Sequence, residues 1–280
     1  MNTTALAGNR GADDTYLSLL ANIMQYGTRS DDRTGTGTVR IFGAQMRFDD
    51  VGTNFPLLTT KRLHWKSIVA ELLWMLKGRT DLAWLHDRGV TIWDEWAKPD
   101  GTIGPAYGFQ WRSWPAYDGS TIDQLSSVIE SIKTNPESRR LIVSAWNPAQ
   151  VSEMALPACH CFFQFAVLDG RLDTQVYIRS NDMFLGAPFN IASYALLNII
   201  VANLTGLQPG NLIYTIGDAH IYLNHLDKVR MQMQRLPYAQ PQVAIIADPS
   251  ETLSLDTLDQ RHIVLSNYQA HPAIKADVAV

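Results

Sequence analysis

Three residues in the stretch LPACHCFFQF (156–165) could do chemistry: Cys159 and Cys161, the only two cysteines of the chain, and His160 between them. Such a set could ligate a metal, arm a nucleophile or simply open a buried strand. If residues 159–165 form a strand, successive side chains alternate faces, and His160 points away from both cysteines. No second cysteine pair exists to complete a tetrahedral site, so no metal is expected. Cys161, followed by alternating apolar residues, reads as a core cysteine. Cys159 stands at the strand's edge behind Leu156-Pro157, where a side chain can face a cleft. A free thiol of pKa about 8.5 is only a few per cent thiolate at neutral pH, so a nucleophile here needs positive charge nearby. Arg179, at the end of a partner strand, is one source, and Arg33, Arg139 and Arg140 are others. Position alone leaves nucleophile and structural cysteine both open.

Glu71 raises a similar question. It lies among Ile68, Val69, Leu72 and Leu73, where a bare carboxylate is costly to bury. Either it turns to the polar side of its helix or its placement serves chemistry.

The elements that must position these residues are legible in outline. Leu17, Leu20, Ile23 and Met24 recur at helical spacing and Gly27 stops that helix. Residues 67–77 (SIVAELLWMLK) read as a buried helix closed by Gly78. Ile122, Leu125, Val128, Ile129 and Ile132 form another stripe, opened by a Thr121-x-x-Gln124 capping box and ended before Asn135-Pro136. LIVSAW (141–146) has strand character, and residues 162–168 and 172–179 flank Asp169-Gly170, a two-residue hairpin signal. Helix and strand signals interleave without regular alternation. The expected fold class is α+β, one domain over 1–280 with a large central mixed sheet covered by helices.

Composition narrows the partners. With 46% hydrophobic and 18% charged residues among 280, the chain has the makings of an ordinary folded core. A net charge of −4 argues against a dedicated nucleic-acid surface, so an anionic ligand needs a local cluster of arginines. Two cysteines so close together cannot staple a fold, which fits a reducing, cytoplasmic compartment. The first 14 residues lack the apolar core of a secretory signal. Residues 191–207 are apolar but carry Ser193, Asn198, Asn203 and Gly206, so a buried helix and no membrane span is expected.

LPACHCFFQF resembles the active-site signature of thymidylate synthases, and the likeness runs from about Tyr16 to Val280. DRTGTGT (32–38), FPLLTTKR (55–62), ELLWMLKG (71–78), TIWDEW (91–96), GPAYGFQWR (104–112), SRRLIVSAWN (138–147), YIRSNDMFLGAPFNIASYALL (177–197) and GDAHIYLNH (217–225) are similar to that family in the same order. The family makes thymidylate from deoxyuridylate (dUMP), with 5,10-methylenetetrahydrofolate as one-carbon donor and reductant and with no metal.

The resemblance implies roles residue by residue. Cys159 matches the nucleophile that adds to carbon 6 of uracil, and Glu71, helped by Tyr107 and His160, matches the proton-transfer group. Arg33, Arg179 and Ser180 match phosphate ligands, with Asn181 and Asp182 beside them in the nucleotide site. Arg139 and Arg140 match arginines donated by a second subunit, which implies a homodimer with sheets packed back to back. Asn190 matches the residue that reads the base: an amide can accept from the uracil N3 hydrogen and donate to the 4-oxygen. His220 and Tyr222 match groups on the deoxyribose hydroxyl. His64, Trp93, Trp96, Asp182, Gly186, Phe189 and Ala279 match the folate pocket, and residues 271–280 a lid that keeps water from the reaction. Residues 1–12 are expected to be flexible.

Three positions depart from the family's pattern. Ala158 stands where Pro is usual, Ile178 where Gln is frequent, and Asp277 where the tail is commonly apolar. Rival readings are a pyrimidine hydroxymethylase of the same fold, which quenches the methylene with water; a Cys-His acyl hydrolase, which needs a third orienting residue; and a non-catalytic nucleotide- or RNA-binding module, in which Cys159, Glu71 and Asn190 would be gratuitous.

Overall fold

The computed structural model describes residues 11–32 and 34–278. Arg33, Ala279 and the expected flexible start up to residue 10 lie outside the described residues. The first helix, α1 (Ala12–Tyr26), buries Tyr16, Leu20 and Ile23 completely. Leu17 and Met24 are only partly buried, so the apolar stripe is rotated slightly from its expected line. The helix ends where the Gly27 backbone turns extended, at φ −68° and ψ 148°, and a Cβ there would stand 2.5 Å from the Ile23 carbonyl oxygen and 2.6 Å from Val39 Cγ1. Two antiparallel strands follow, β1 (Thr28–Ser30) and β2 (Thr38–Phe48). Next comes α2 (Trp65–Leu76), whose segment from Ser67 to Leu76 is fully buried except at Glu71. Gly78, at φ +67°, takes the left-handed turn that closes it.

Short helices α3 (Ala83–His86) and α4 (Gly108–Arg112) lead to a small hairpin of β3 (Trp114–Pro115) and β4 (Thr121–Ile122). The next helix, α5 (Gln124–Thr134), corrects the expected capping box. Its N-cap is Asp123, whose carboxylate accepts from the Ser126 backbone N–H at 2.9 Å. Thr121 is held in β4, Ile122 is exposed, and Gln124 instead bonds to the Ser144 backbone and the Gln110 carbonyl. A charged acceptor one residue before the helix outcompetes a hydroxyl already tied up in a strand.

The rest of the chain supplies β5 (Ile142–Ser144), β6 (His160–Leu168), β7 (Arg171–Asp182), α6 (Gly186–Thr205), β8 (Gln208–Tyr222), α7 (Leu226–Met233), β9 (Gln242–Ile245) and β10 (Ile263–Ser266). The hairpin between β6 and β7 turns at Asp169 and Gly170, both at positive φ, as the sequence predicts. Six strands form one sheet in the order β1-β2-β8-β7-β6-β5. Among the described residues only β7 and β8 pair in parallel, joined by α6; the other neighbours in this sheet are antiparallel. Among the described residues seven helices surround this mixed sheet, and the fold is α+β. β9 and β10 pair separately.

α6 packs on β7 and β8, α1 on β2, and α2 on α4 and α6. α6 is long and apolar enough to cross a bilayer, yet 78% of its most apolar stretch is buried inside the protein. Its N-terminus follows directly on the end of β7, and the parallel register sets Ser180 opposite Asp218 and Asp182 opposite His220. Arg179, Ser180, Asp182, Asn190 and His220 gather at this end of the sheet, where open α/β architectures also place their ligands.

Candidate active site

Cys159 precedes β6, and its placement depends on an irregularity in that strand. β6 and β7 pair one-to-one from Leu168 to Phe162, then slip by one residue at Cys161. Such a bulge re-aims the chain beyond it. Arg179 on β7 clamps the resulting turn, donating to the carbonyls of Pro157 at 2.7 Å and Ala158 at 2.9 Å. Its Nη2 then lies 3.6 Å from the Cys159 sulfur, and the Cys159 backbone N–H donates to the Tyr107 hydroxyl at 3.1 Å. Burial pushes the Cys159 thiol above its usual range, while the Arg179 guanidinium and the Tyr107 hydroxyl oppose that shift. Ala158 is itself fully buried, and its carbonyl is one of the two that Arg179 holds. Cys161 is buried, its sulfur 3.7 Å from the Cys159 carbonyl, and both cysteines are free thiols.

Tyr107 sits at φ 42°, ψ −98°, an unusual backbone for a residue with a side chain. That conformation aims its ring inward, 5.2 Å from His160 and 5.7 Å from Trp93. His160 lies between Tyr107 and Tyr194, with no hydrogen-bond partner on Nδ1. Burial holds its pKa down to about 4, against a hydrogen bond with Asn190 that favours the charged form. The imidazole is therefore neutral at physiological pH.

Glu71 faces the same space from α2. Its Oε1 accepts from Trp93 Nε1 at 2.8 Å, and burial raises its pKa to about 7. A carboxyl poised there can both give and take a proton at working pH. Trp93 is nearly buried, and the partly buried Trp96 packs edge-on against it at 5.7 Å. Asp182 uses Oδ1 to accept from the backbone of Phe184 at 2.8 Å and Leu185 at 3.3 Å, just before α6 begins. Gly186 and Phe189 continue that first turn, half-buried, and Asn190 follows one turn on. Across β7, His220 donates from Nδ1 to Asp218 Oδ1 at 3.0 Å and packs edge-on against Tyr222. His64 caps α2 from an exposed position, its Nδ1 2.7 Å from Ser67 Oγ. Ser180 is half-buried on β7 beside Arg179.

The fold thus brings Cys159, His160, Tyr107, Glu71, Trp93, Arg179 and Asn190 into one connected cluster. It does not bring Arg139 and Arg140 there. Both are exposed just before β5, and among the described residues their guanidinium groups make no hydrogen bond or ion pair. A family model described as Thymidylate synthase matches residues 14–280. The chain belongs to the thymidylate synthase family. It is therefore an enzyme of the one-carbon transferase kind in dTMP biosynthesis, in a family that also includes hydroxymethylases. Among the described residues no group of three or more His, Cys, Asp or Glu could hold a metal ion.

Two residues around the family's site escape a reading from sequence. Lys61 is buried, donates to the Phe184 carbonyl and has its Nζ 3.6 Å from the Phe184 ring centroid. Burial lowers its pKa to about 7, with nearby Asp182 opposing. His225 is fully buried, its Nε2 2.9 Å from the Asp277 carbonyl and its Nδ1 4.0 Å from Asp182 Oδ1. Lys61 stands in FPLLTTKR and His225 closes GDAHIYLNH, so both lie in matched motifs; neither residue type reveals which distant backbone it will hold.

The donor set suits a reduced folate. Trp93 and Phe189 offer apolar surface for a flat ring, Asp182 Oδ2 makes no hydrogen bond among the described residues, and Gly186 leaves the first turn of α6 without a side chain.

Proposed function

We propose that the chain is a thymidylate synthase in the strict sense, converting dUMP to dTMP and leaving dihydrofolate. Cys159, as thiolate, adds to carbon 6 of the uracil ring, and the displaced electron pair moves onto the 4-oxygen, so that carbon 5 becomes nucleophilic. When bound, 5,10-methylenetetrahydrofolate supplies both the one-carbon unit and the hydride. Asn190 meets the base edge, and its neutral amide stabilises charge developing on the 4-oxygen. Glu71 takes and returns protons at the pyrimidine, with neutral His160 and protonated Tyr107 holding the surrounding hydrogen bonds. At the end the sulfur–carbon bond breaks and the thiolate leaves.

Phosphate binding is assigned to Arg33, Arg179 and Ser180 with Arg139 and Arg140 of a second copy. The sheet face away from the helices supports that dimer. Phe42 is 83% exposed, Ile142 44% and Phe162 40%, an apolar surface that back-to-back packing would cover. His220, held by Asp218, and Tyr222 take the sugar hydroxyl. His64, Trp93, Trp96, Asp182, Gly186 and Phe189 hold the folate. A reducing cytoplasm would keep Cys159 free.

The observation that favours synthase over hydroxymethylase is the tail. Residues 271–278 lie down on the body: the Arg62 N–H donates to the His271 carbonyl at 2.8 Å, Arg235 to the Pro272 carbonyl at 2.7 Å, and the His225–Asp277 contact ends beside Asp182. Asp277 contributes its backbone here, so a polar side chain at that position does not prevent the contact. A tail so placed excludes water from the folate pocket, so that hydride and not hydroxide reaches the methylene. The test is to mix protein, dUMP and methylenetetrahydrofolate and follow the absorbance of dihydrofolate. Tetrahydrofolate with hydroxymethyl-dUMP as products would replace this reading with the hydroxymethylase.

A further inference from the structure

Beneath Asn190 lies a buried polar chain. Tyr214, fully buried on β8, donates its hydroxyl hydrogen to Asn181 Oδ1 on β7 at 2.7 Å. Asn181 is 4% exposed, so it is turned into the protein and its carbonyl is occupied. A Cβ on Gly186 would stand 3.4 Å from Asn181 Nδ2 and 3.8 Å from Asn190 Nδ2, so both amides share one small space under the first turn of α6. The Asn190 carboxamide is close enough to lower the Tyr214 phenol against the upward push of burial, and from another side it favours the charged form of His160.

A phenol has one hydrogen to give. With Asn181 Oδ1 taking it, Tyr214 can meet Asn190 only as an acceptor. Asn190 must then turn an N–H of its Nδ2 toward Tyr214, which leaves its Oδ1 for a donor on the other side. Burial pushes the Tyr214 phenol up, so this hydrogen stays in place across the working pH range. Packing alone does not explain the arrangement, because a phenylalanine would fill the same volume without two polar groups to desolvate.

We propose that Tyr214 and Asn181 are positioning residues that fix the flip state of the Asn190 amide and, through it, the preference for uracil over cytosine. The inference rests on Asn190 as the base-reading residue. An amide free to turn over presents oxygen and NH2 in either order. It can then satisfy uracil, which offers a hydrogen at N3 and an acceptor at position 4, or cytosine, which offers the reverse. Asn181, which the family resemblance places among the nucleotide's ligands, acts in this scheme one layer further back.

The test is calorimetric. Dissociation constants for dUMP and dCMP are measured for the unmodified protein, Tyr214→Phe, Asn181→Asp and Asn181→Leu. Losing one buried hydrogen bond should lower the dUMP-over-dCMP preference of Tyr214→Phe by about tenfold. Asn181→Asp retains an acceptor for the phenol and should keep the preference within about threefold, whereas Asn181→Leu should lose it like Tyr214→Phe. The Asn181 pair therefore decides the matter even if Tyr214→Phe does not fold. An unchanged preference in Tyr214→Phe and Asn181→Leu overturns the relay and leaves the proposed activity standing. An unmodified protein without preference for dUMP overturns the base-reading assignment beneath it.

Discussion

Replacing Glu71 with glutamine should make the protein more stable and inactive, by an amount that depends on pH. Burial raises this carboxyl from its ordinary 4.5 to about 7. A change of that size corresponds to about 3 kcal/mol of folding free energy. Its sign follows from where the proton sits. Between pH 4.5 and about 7 an unfolded chain gives up the proton while the folded chain keeps it. Stability therefore falls as pH rises through that window, and the full cost is present above it. Glutamine is neutral throughout, nearly the same size, and its carbonyl oxygen can still accept the Trp93 indole hydrogen that Glu71 accepts at 2.8 Å.

The comparison to make is urea unfolding of both proteins at a pH near 5 and again well above 8, at one protein concentration. Near pH 5 the two should be nearly equal. In alkaline buffer the variant should be more stable by up to about 3 kcal/mol, less whatever its unpaired amide hydrogens cost. His160, held at about 4, titrates alike in both proteins and cancels from the difference. Turnover should fall by about 10²- to 10⁴-fold, the usual range for removing a general acid–base group. A stability gap that ignores pH, or a variant that is weaker in alkali, would mean that Glu71 is an ordinary ionised carboxylate. The proton-transfer role would then lose its physical basis.

Cys159→Ser should bind dUMP but lose turnover by several orders of magnitude, since a hydroxyl is a far poorer nucleophile than a thiolate; near-normal turnover would refute covalent addition. Asn190→Asp should weaken dUMP and improve dCMP in a binding titration, and an unchanged preference would mean that the base is read elsewhere. For the shared phosphate site, Arg140→Ala and Cys159→Ser proteins, each inactive, should regain activity when dissociated and reassociated together. One site of the mixed dimer then combines an intact thiol with an intact arginine, and failure to recover would place Arg140 outside the neighbouring site.

How much of this could be read from sequence depends on the reach of each interaction. The hairpin at Asp169-Gly170 and the stops at Gly27 and Gly78 were legible because the cause lies within a few residues: a positive φ, or a backbone turned extended. The cap of α5 was misread although the rival acceptor, Asp123, stands one position away from Gln124; the pairing that withdraws Thr121 into β4 depends on Trp114 and Pro115. The family was legible through its motifs, and the structure brings the thiol of Cys159, the carboxyl of Glu71 and the amide of Asn190 into one cluster. Their supports were not legible. Tyr214 meets Asn181 across 33 residues and Lys61 meets Phe184 across 123, contacts that exist only once the sheet has assembled.

Topology explains why those supports and the reacting groups end up together. Among the described residues β7 and β8 are the sheet's one parallel pair, so their carboxyl ends lie side by side, and α6 must start where β7 stops. Arg179, Asp182, Gly186 and Asn190 are thus carried to one place by twelve positions of continuous chain, and the register then delivers His220 opposite Asp182. An antiparallel return from β7 would have sent the next strand's end to the opposite edge of the sheet. His220 would then lie about a strand's length, roughly 35 Å or more, from Asn190, because each strand residue advances about 3.3 Å.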